Sequence, residues 1–173
     1  MALNTLGFRR VDHASWTVAR IAPVIEFYAK VFGAEVLYRM GPVDAAEIPL
    51  DDQGRDWTEA HLGVKGGRLS LAMLRFPDGF KVELFEYEQP HSDTELPLRP
   101  NHVGSHHLGI EVDDLETATA VLLGNGCTVM KRIEMADGPT AGSRYRYLFD
   151  PWHNIFELAE HSHTRQHREG NEA

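Results

Sequence analysis

Two histidines and two glutamates in this chain are placed so that they could do chemistry together. His13 and His107 each open a segment that alternates apolar and polar residues, and Glu83 and Glu157 each sit inside a closing segment, Val82-Glu83-Leu84 and Phe156-Glu157-Leu158. Two imidazoles and two carboxylates form a mixed nitrogen and oxygen donor set suited to one divalent ion, Zn, Ni, Co, Mn or Fe. Charge favours the same reading. Two carboxylates buried together without a cation repel, and one of them tends to protonate, whereas a dication neutralises both. Any one of the four is unremarkable alone, since a lone histidine at a strand start is more often structural or solvated. Their weight comes from recurring as pairs.

The elements that must position them also repeat. Residues 11–18 read as a strand, followed by a helical pattern from Ile21 to Phe32, then Gly33, then a strand-like 35–38. Residues 106–112 read again as a strand, followed by a helix over about 115–123, by Gly124 and Gly126, and by strand-like 128–130. Ile21, Val24, Tyr28 and Phe32 recur at helical spacing, as do Leu115, Ala118 and Leu122. Pro23 falls in the first helical turn, where a missing N–H costs nothing. Asp113 with Glu116 has the form of a capping box for the second helix, and glycine is expected to end both helices. The starts of the halves align at an offset of 94, from His13 to His107, and their ends at 74, from Glu83 to Glu157. The first half therefore carries about twenty extra residues. Pro42, Pro49, Asp51-Asp52 and Gly54 predict a loop there.

Strand alternation then sorts the faces. Ala14, Trp16 and Val18 share a face with apolar character, leaving His13, Ser15 and Thr17 on the other; Leu108, Ile110 and Val112 leave His107, Gly109 and Glu111. Val82 and Leu84 match Phe156 and Leu158, so Glu83 and Glu157 lie opposite them, while His106 points away from His107. The expected organisation is a first βαβββ module over 8–88 with an insertion at about 41–66, a linker over 89–101, a second module over 102–160 and a flexible tail over 161–173. The tail histidines 161, 163 and 167 are read as solvated.

Bulk properties narrow the partners. The chain has 173 residues, 42% of them hydrophobic, which suffices for a packed core. A formal charge of −9 argues against nucleic acid and anionic membrane as partners, because both need a positive surface. Cys127 is the one cysteine, so neither an internal disulfide nor a thiolate metal site is expected. Arg9, Arg10 and Asp12 interrupt any apolar leader and no stretch approaches spanning length, so the expected location is cytoplasmic.

Taken together, Asp12-His13, Phe27-Tyr28, Phe32-Gly33 and Val82-Glu83-Leu84, with the stretch from His107 to Asp113 and Phe149-Asp150-Pro151 through Phe156-Glu157-Leu158, resemble the vicinal-oxygen-chelate superfamily. That superfamily includes glyoxalase I, methylmalonyl-CoA epimerase, extradiol dioxygenases and fosfomycin- or bleomycin-resistance proteins. The resemblance implies an α+β fold of two βαβββ modules forming a cupped mixed sheet around the metal, and a homodimer. The ligand order His, Glu, His, Glu is most similar to glyoxalase I. It implies a metal-dependent lyase or isomerase acting on a small molecule with two vicinal oxygens. A proton is removed beside a metal-chelated carbonyl, with Glu157 the first candidate for base and Glu83 the second. Trp16, Trp57, Arg75, Arg144, Tyr145, Tyr147 and Trp152 are the wider candidates for substrate contact, core packing being the commoner role for most of them; Arg144, Tyr145 and Trp57 are singled out, Arg144 foremost for an anionic group. The alternatives within the superfamily are a ring-cleaving dioxygenase using Fe or Mn through His13, His107 and Glu157, and a drug-binding resistance protein without catalysis.

Overall fold

The computed structural model describes residues 7–91 and 99–164. The chain divides into two compact units, Met1–Asp93 and Thr94–Ala173. The middle of the expected linker, the tail beyond residue 164 and with it His167 lie outside the described residues.

The first unit runs β1 (Ala14–Thr17), α1 (Ile21–Phe32), β2 (Glu35–Asp44), α2 (Trp57–Leu62), β3 (Arg68–Arg75) and β4 (Lys81–Gln89). Its sheet has the order β1-β4-β3-β2, with β1 parallel to β4 and the other pairs antiparallel. That is one βαβββ module. α1 has the predicted bounds, but its N-terminus is capped from afar: Arg20 offers no side-chain cap, and Glu86 of β4 accepts from the Ile21 N–H at 2.6 Å. A carboxylate there also suits the positive end of the helix dipole. Gly33 closes the helix in the left-handed conformation, φ 67°.

The insertion is not the plain loop its prolines suggested. β2 continues through Pro42 to Asp44, a single 3-10 turn follows at Ala45–Glu47, and α2 comes after it. Pro42 is tolerated because β2 is an edge strand, where a missing donor is not needed by a neighbour. Gly41 adopts φ 100°, and a Cβ there would meet the Leu69 carbonyl oxygen at 2.6 Å. Only glycine lets β2 cross β3 that closely at its second bulge. Asp56 builds α2, accepting from Glu59 N–H at 2.8 Å, the Thr58 hydroxyl at 2.6 Å and Gly66 N–H at 2.8 Å.

The second unit runs β5 (Leu108–Glu111), α3 (Leu115–Gly124), β6 (Thr128–Val129), β7 (Ile133–Glu134), β8 (Arg144–Phe149) and β9 (Ile155–Glu160). β6 and β7 both pair with β8. Between Val129↔Leu148 and Ile133↔Tyr145, four steps on one strand face three on the other, so they form one strand broken by a bulge. With β5 parallel to β9 and the order β5-β9-β8-β6, the βαβββ plan recurs. The cap of α3 is Asp114, which accepts from Thr117 N–H at 2.7 Å, and not Asp113 as the sequence pattern suggested. Its C-terminal cap is Asn125, with Gly126 (φ 87°) turning the chain one residue later.

The pairing registers are equivalent in the two units. Ala14 faces Val82 and Ser15 faces Glu83; Leu108 faces Phe156 and Gly109 faces Glu157. Each helix packs on the face that carries Val82 and Leu84, or Phe156 and Leu158, all at most 1% exposed. Tyr28 of α1, fully buried, meets Trp16 edge-on at 6.1 Å, and Leu115 and Leu122 anchor α3. Each such side chain contributes about 1.5–3 kcal/mol on burial. The fold is therefore α+β, two mixed sheets each backed by a helix. Among the described residues, no helix is long and apolar enough to cross a membrane.

Candidate metal centre

The parallel pairing of β1 with β4 places the first donors. Glu83 lies opposite Ser15, and His13, two residues earlier on the same face, is its diagonal neighbour. His13 Nε2 stands 3.4 Å from Glu83 Oε2. The other ring nitrogen, Nδ1, is 2.9 Å from Asp12 Oδ2, and Lys81 Nζ donates to both Asp12 oxygens at 2.9 and 2.8 Å. Hydrogen bonds from Lys81 and then His13 hold the Asp12 carboxyl down to about 2. An ionised carboxylate only accepts, so a neutral His13 that bonds to it through Nδ1–H turns its Nε2 lone pair toward the Glu83 carboxylate, an arrangement that suits a cation between them.

The second unit repeats the pair with different support. His107 Nε2 stands 3.7 Å from Glu157 Oε2. Tyr147, opposite Glu157 on β8, sets its ring 5.0 Å from the imidazole and its hydroxyl 3.4 Å from Nδ1 and 3.5 Å from Nε2. Burial, and then the charge of Glu157, raises the Tyr147 phenol. Tyr87 in the first unit is raised in the same way, by burial and then by Glu83, and stacks on Phe85. The sequence named Tyr147 among the wider candidates for substrate contact and passed over Tyr87. Alternation from Glu83 along β4 to Phe85 and Tyr87 was the signal that could have found the latter.

The pairs fit a metal by distance as well as by donor chemistry. Ligands about 2.1 Å from a tetrahedral ion lie about 3.4 Å from one another, close to the 3.4 and 3.7 Å separations found. Both glutamates are largely covered, with side chains 17% and 23% exposed, while the imidazoles are 35% and 39% exposed. Each unit by itself brings together two candidate donors; among the described residues no group of three or more His, Cys, Asp or Glu side chains that could hold a metal ion occurs.

The remaining predicted residues separate. Arg144 lies opposite Glu160, on the α3 side of the sheet, and not on the Glu157 side. Its guanidinium reaches Glu160 and Glu134 at 3.3 Å each. Tyr145 shares the face of Tyr147 and meets His161 edge-on at 6.2 Å. Trp57 opens α2, half-buried, with an indole N–H that has no hydrogen-bond partner among the described residues. His106 is exposed, its Nδ1 3.5 Å from the Gly104 carbonyl oxygen. Of the tail histidines, His161 and His163 stack at 5.5 Å, and His163, which is exposed, lies 3.8 Å from Glu111.

Two βαβββ units, each carrying a His/Glu pair in the same register, define a class. The chain belongs to the Glyoxalase/Bleomycin resistance protein/Dioxygenase superfamily, whose model matches residues 10–158. It is 34% identical over 155 residues to a 2-epi-5-epi-valiolone epimerase from Actinomyces sp, covering 88% of this chain and 79% of that protein. That relationship supports an enzyme of isomerase type. Among solved structures, a glyoxalase family protein from Bacillus cereus matches with a TM-score of 0.70 at 19% identity, covering 92% of this chain and 99% of the other. The fosfomycin resistance protein FosX from Listeria monocytogenes, in a complex with Mn(II) and sulfate, matches with a TM-score of 0.51 at 14% identity, covering 88% and 93%. At those identities the likeness is one of fold.

Proposed function

We propose that this protein is a metal-dependent epimerase that inverts a carbon next to a ketone, on a substrate with a hydroxyl on the neighbouring carbon. The observation that carries the reading is the register-equivalent pair of His/Glu contacts, His13 with Glu83 and His107 with Glu157, at 3.4 and 3.7 Å. His13 with Glu83, and His107 with Glu157, would hold the ion, which would supply Lewis-acid polarisation of a substrate carbonyl. The relationship to an epimerase favours isomerisation over ring cleavage.

Within this reading the chain's own groups divide the work. Glu157 takes the proton from the carbon beside the carbonyl, and the electron pair of the broken C–H bond moves onto the carbonyl oxygen. Inversion also requires a proton to reach the opposite face of that carbon as the electron pair returns from the oxygen. Glu83, the other carboxylate in the set, would deliver one taken beforehand from solvent, and Glu157 would release its own to solvent to reset the site. The low exposure of both glutamates excludes much of the water that would compete for the exchanged proton. Tyr147, beside His107 and Glu157 with its phenol raised, stays protonated and donates to an oxygen that gains charge.

Metal-depleted protein reconstituted in turn with Zn, Ni, Co, Mn and Fe tests the reading. The expected result is uptake of one ion per chain and restored epimerisation of a 2-epi-5-epi-valiolone-type ketone without oxygen. Oxygen consumption with catechols and no epimerisation under any metal would overturn it in favour of ring cleavage.

A further inference from the structure

The two histidines of the donor set are held differently. His13 Nδ1 lies 2.9 Å from Asp12 Oδ2, and Asp12 is itself gripped by Lys81 through both oxygens, at 2.9 and 2.8 Å. Lys81 is the residue that opens β4, immediately before the pairing of Val82 with Ala14, so the β1–β4 ladder that sets His13 beside Glu83 also sets Lys81 beside Asp12. In the second unit the corresponding positions are His106 and Ile155, which cannot make this arrangement. His106 turns to the Gly104 carbonyl, and His107 has the Tyr147 ring and hydroxyl instead.

We infer that Asp12 and Lys81 form a positioning dyad that fixes His13 in one tautomer, with Nδ1 protonated and Nε2 free to bind a metal, before any metal arrives. The inference rests on the metal reading given above. A histidine that donates its second N–H to a carboxylate is held in orientation and made a better donor. Here the carboxylate is in turn prevented from rotating away, because Lys81 bridges both of its oxygens. Asp12 touches no reacting atom; it acts through His13. The dyad makes the first pair the preformed half of the site, and it assigns Lys81 a part that its place on a strand end does not reveal.

Nitrogen-detected NMR of the imidazoles in metal-free protein, with Mn(II) or Zn(II) affinity measured by chelator competition, tests this. The wild type should show His13 protonated at Nδ1. Asp12→Ala should give His13 a mixture of tautomers, leave the His107 signals unchanged, and weaken metal binding about tenfold or more. Lys81→Met should weaken it less, because Asp12 stays in place but is free to rotate. Asp12→Asn, which keeps an acceptor and the side-chain volume, should fall between wild type and Asp12→Ala and guards against a folding defect in the alanine variant. A wild-type His13 protonated at Nε2, or Asp12→Ala binding metal as well as wild type, overturns the dyad alone. A wild type that takes up no divalent ion overturns the metal reading together with it.

Discussion

At the scale of single residues, function turns on which carboxylates face the histidines and which serve the core. Glu83 and Glu157 face His13 and His107; Glu86 and Glu160, their neighbours on the opposite faces of the same strands, cap α1 and pair with Arg144. Glu83→Gln should keep the fold, with a melting temperature close to wild type, and weaken metal binding about a hundredfold or more. That exceeds the tenfold to hundredfold typical of losing a ligand's hydrogen-bond partner. His13→Ala should weaken it further, and calorimetric titration that finds neither variant changed would remove both from the site. Arg144, favoured from the sequence as an anion-binding residue, has its guanidinium committed to Glu134 and to Glu160, which is 1% exposed. Arg144→Met should therefore cost on the order of 1–3 kcal/mol in denaturant unfolding, since a buried carboxylate loses a charged partner, while KM stays near the wild-type value. A large rise in KM with unchanged stability would restore the substrate role.

At the scale of elements, the faces of the strands were legible and the insertion was not. Period-two alternation around Val82 and Leu84, and around Phe156 and Leu158, put Glu83 and Glu157 on the right side because those leucines, the valine and the phenylalanine must be buried. The helix α1 was legible to the residue for a similar reason, an apolar stripe ended by a left-handed glycine. In the insertion, Pro42, Pro49 and Gly54 outweighed a quieter signal, Asp56 followed by Glu59, which is the cap of α2. Prolines mark loops only where a backbone donor is needed, and an edge strand needs fewer. The cap of α3 was misplaced by one residue because Asp113 and Asp114 are adjacent, and only the backbone decides which faces the helix. Asp56 carries a pH prediction. Hydrogen bonds from Thr58 first, then Glu59 and Gly66, lower its carboxyl from 3.8 to about 2. A lowered folded-state value means its stabilisation is complete above about 4 and is lost as pH falls through about 2. The stability of Asp56→Asn should thus fall less steeply than wild type between pH 4 and 2 in acid titrations followed by circular dichroism. Parallel curves would show that the cap is not the acid-sensitive group.

At the scale of the whole molecule, the internal repeat was the most informative feature. Offsets of 94 and 74 located both His/Glu pairs and the size of the insertion, because a duplicated βαβββ plan forces equivalent registers, Ala14 with Val82 and Leu108 with Phe156. The repeat could not reveal where the halves diverge: Asp12 and Lys81 support one histidine, Tyr147 the other, and these depend on side chains that differ between the halves. The central claim is that the chain abstracts a proton beside a carbonyl with Glu157. Solvent-deuterium exchange tests it most directly. Metal-loaded wild type, kept free of oxygen in D₂O with a 2-epi-5-epi-valiolone-type ketone, should place deuterium at the carbon beside the carbonyl, read by mass spectrometry. Glu157→Gln should lower that exchange by a factor of about 10² or more, with substrate binding reduced far less. Full epimerisation without deuterium incorporation, or exchange as fast in Glu157→Gln as in wild type, would contradict the account.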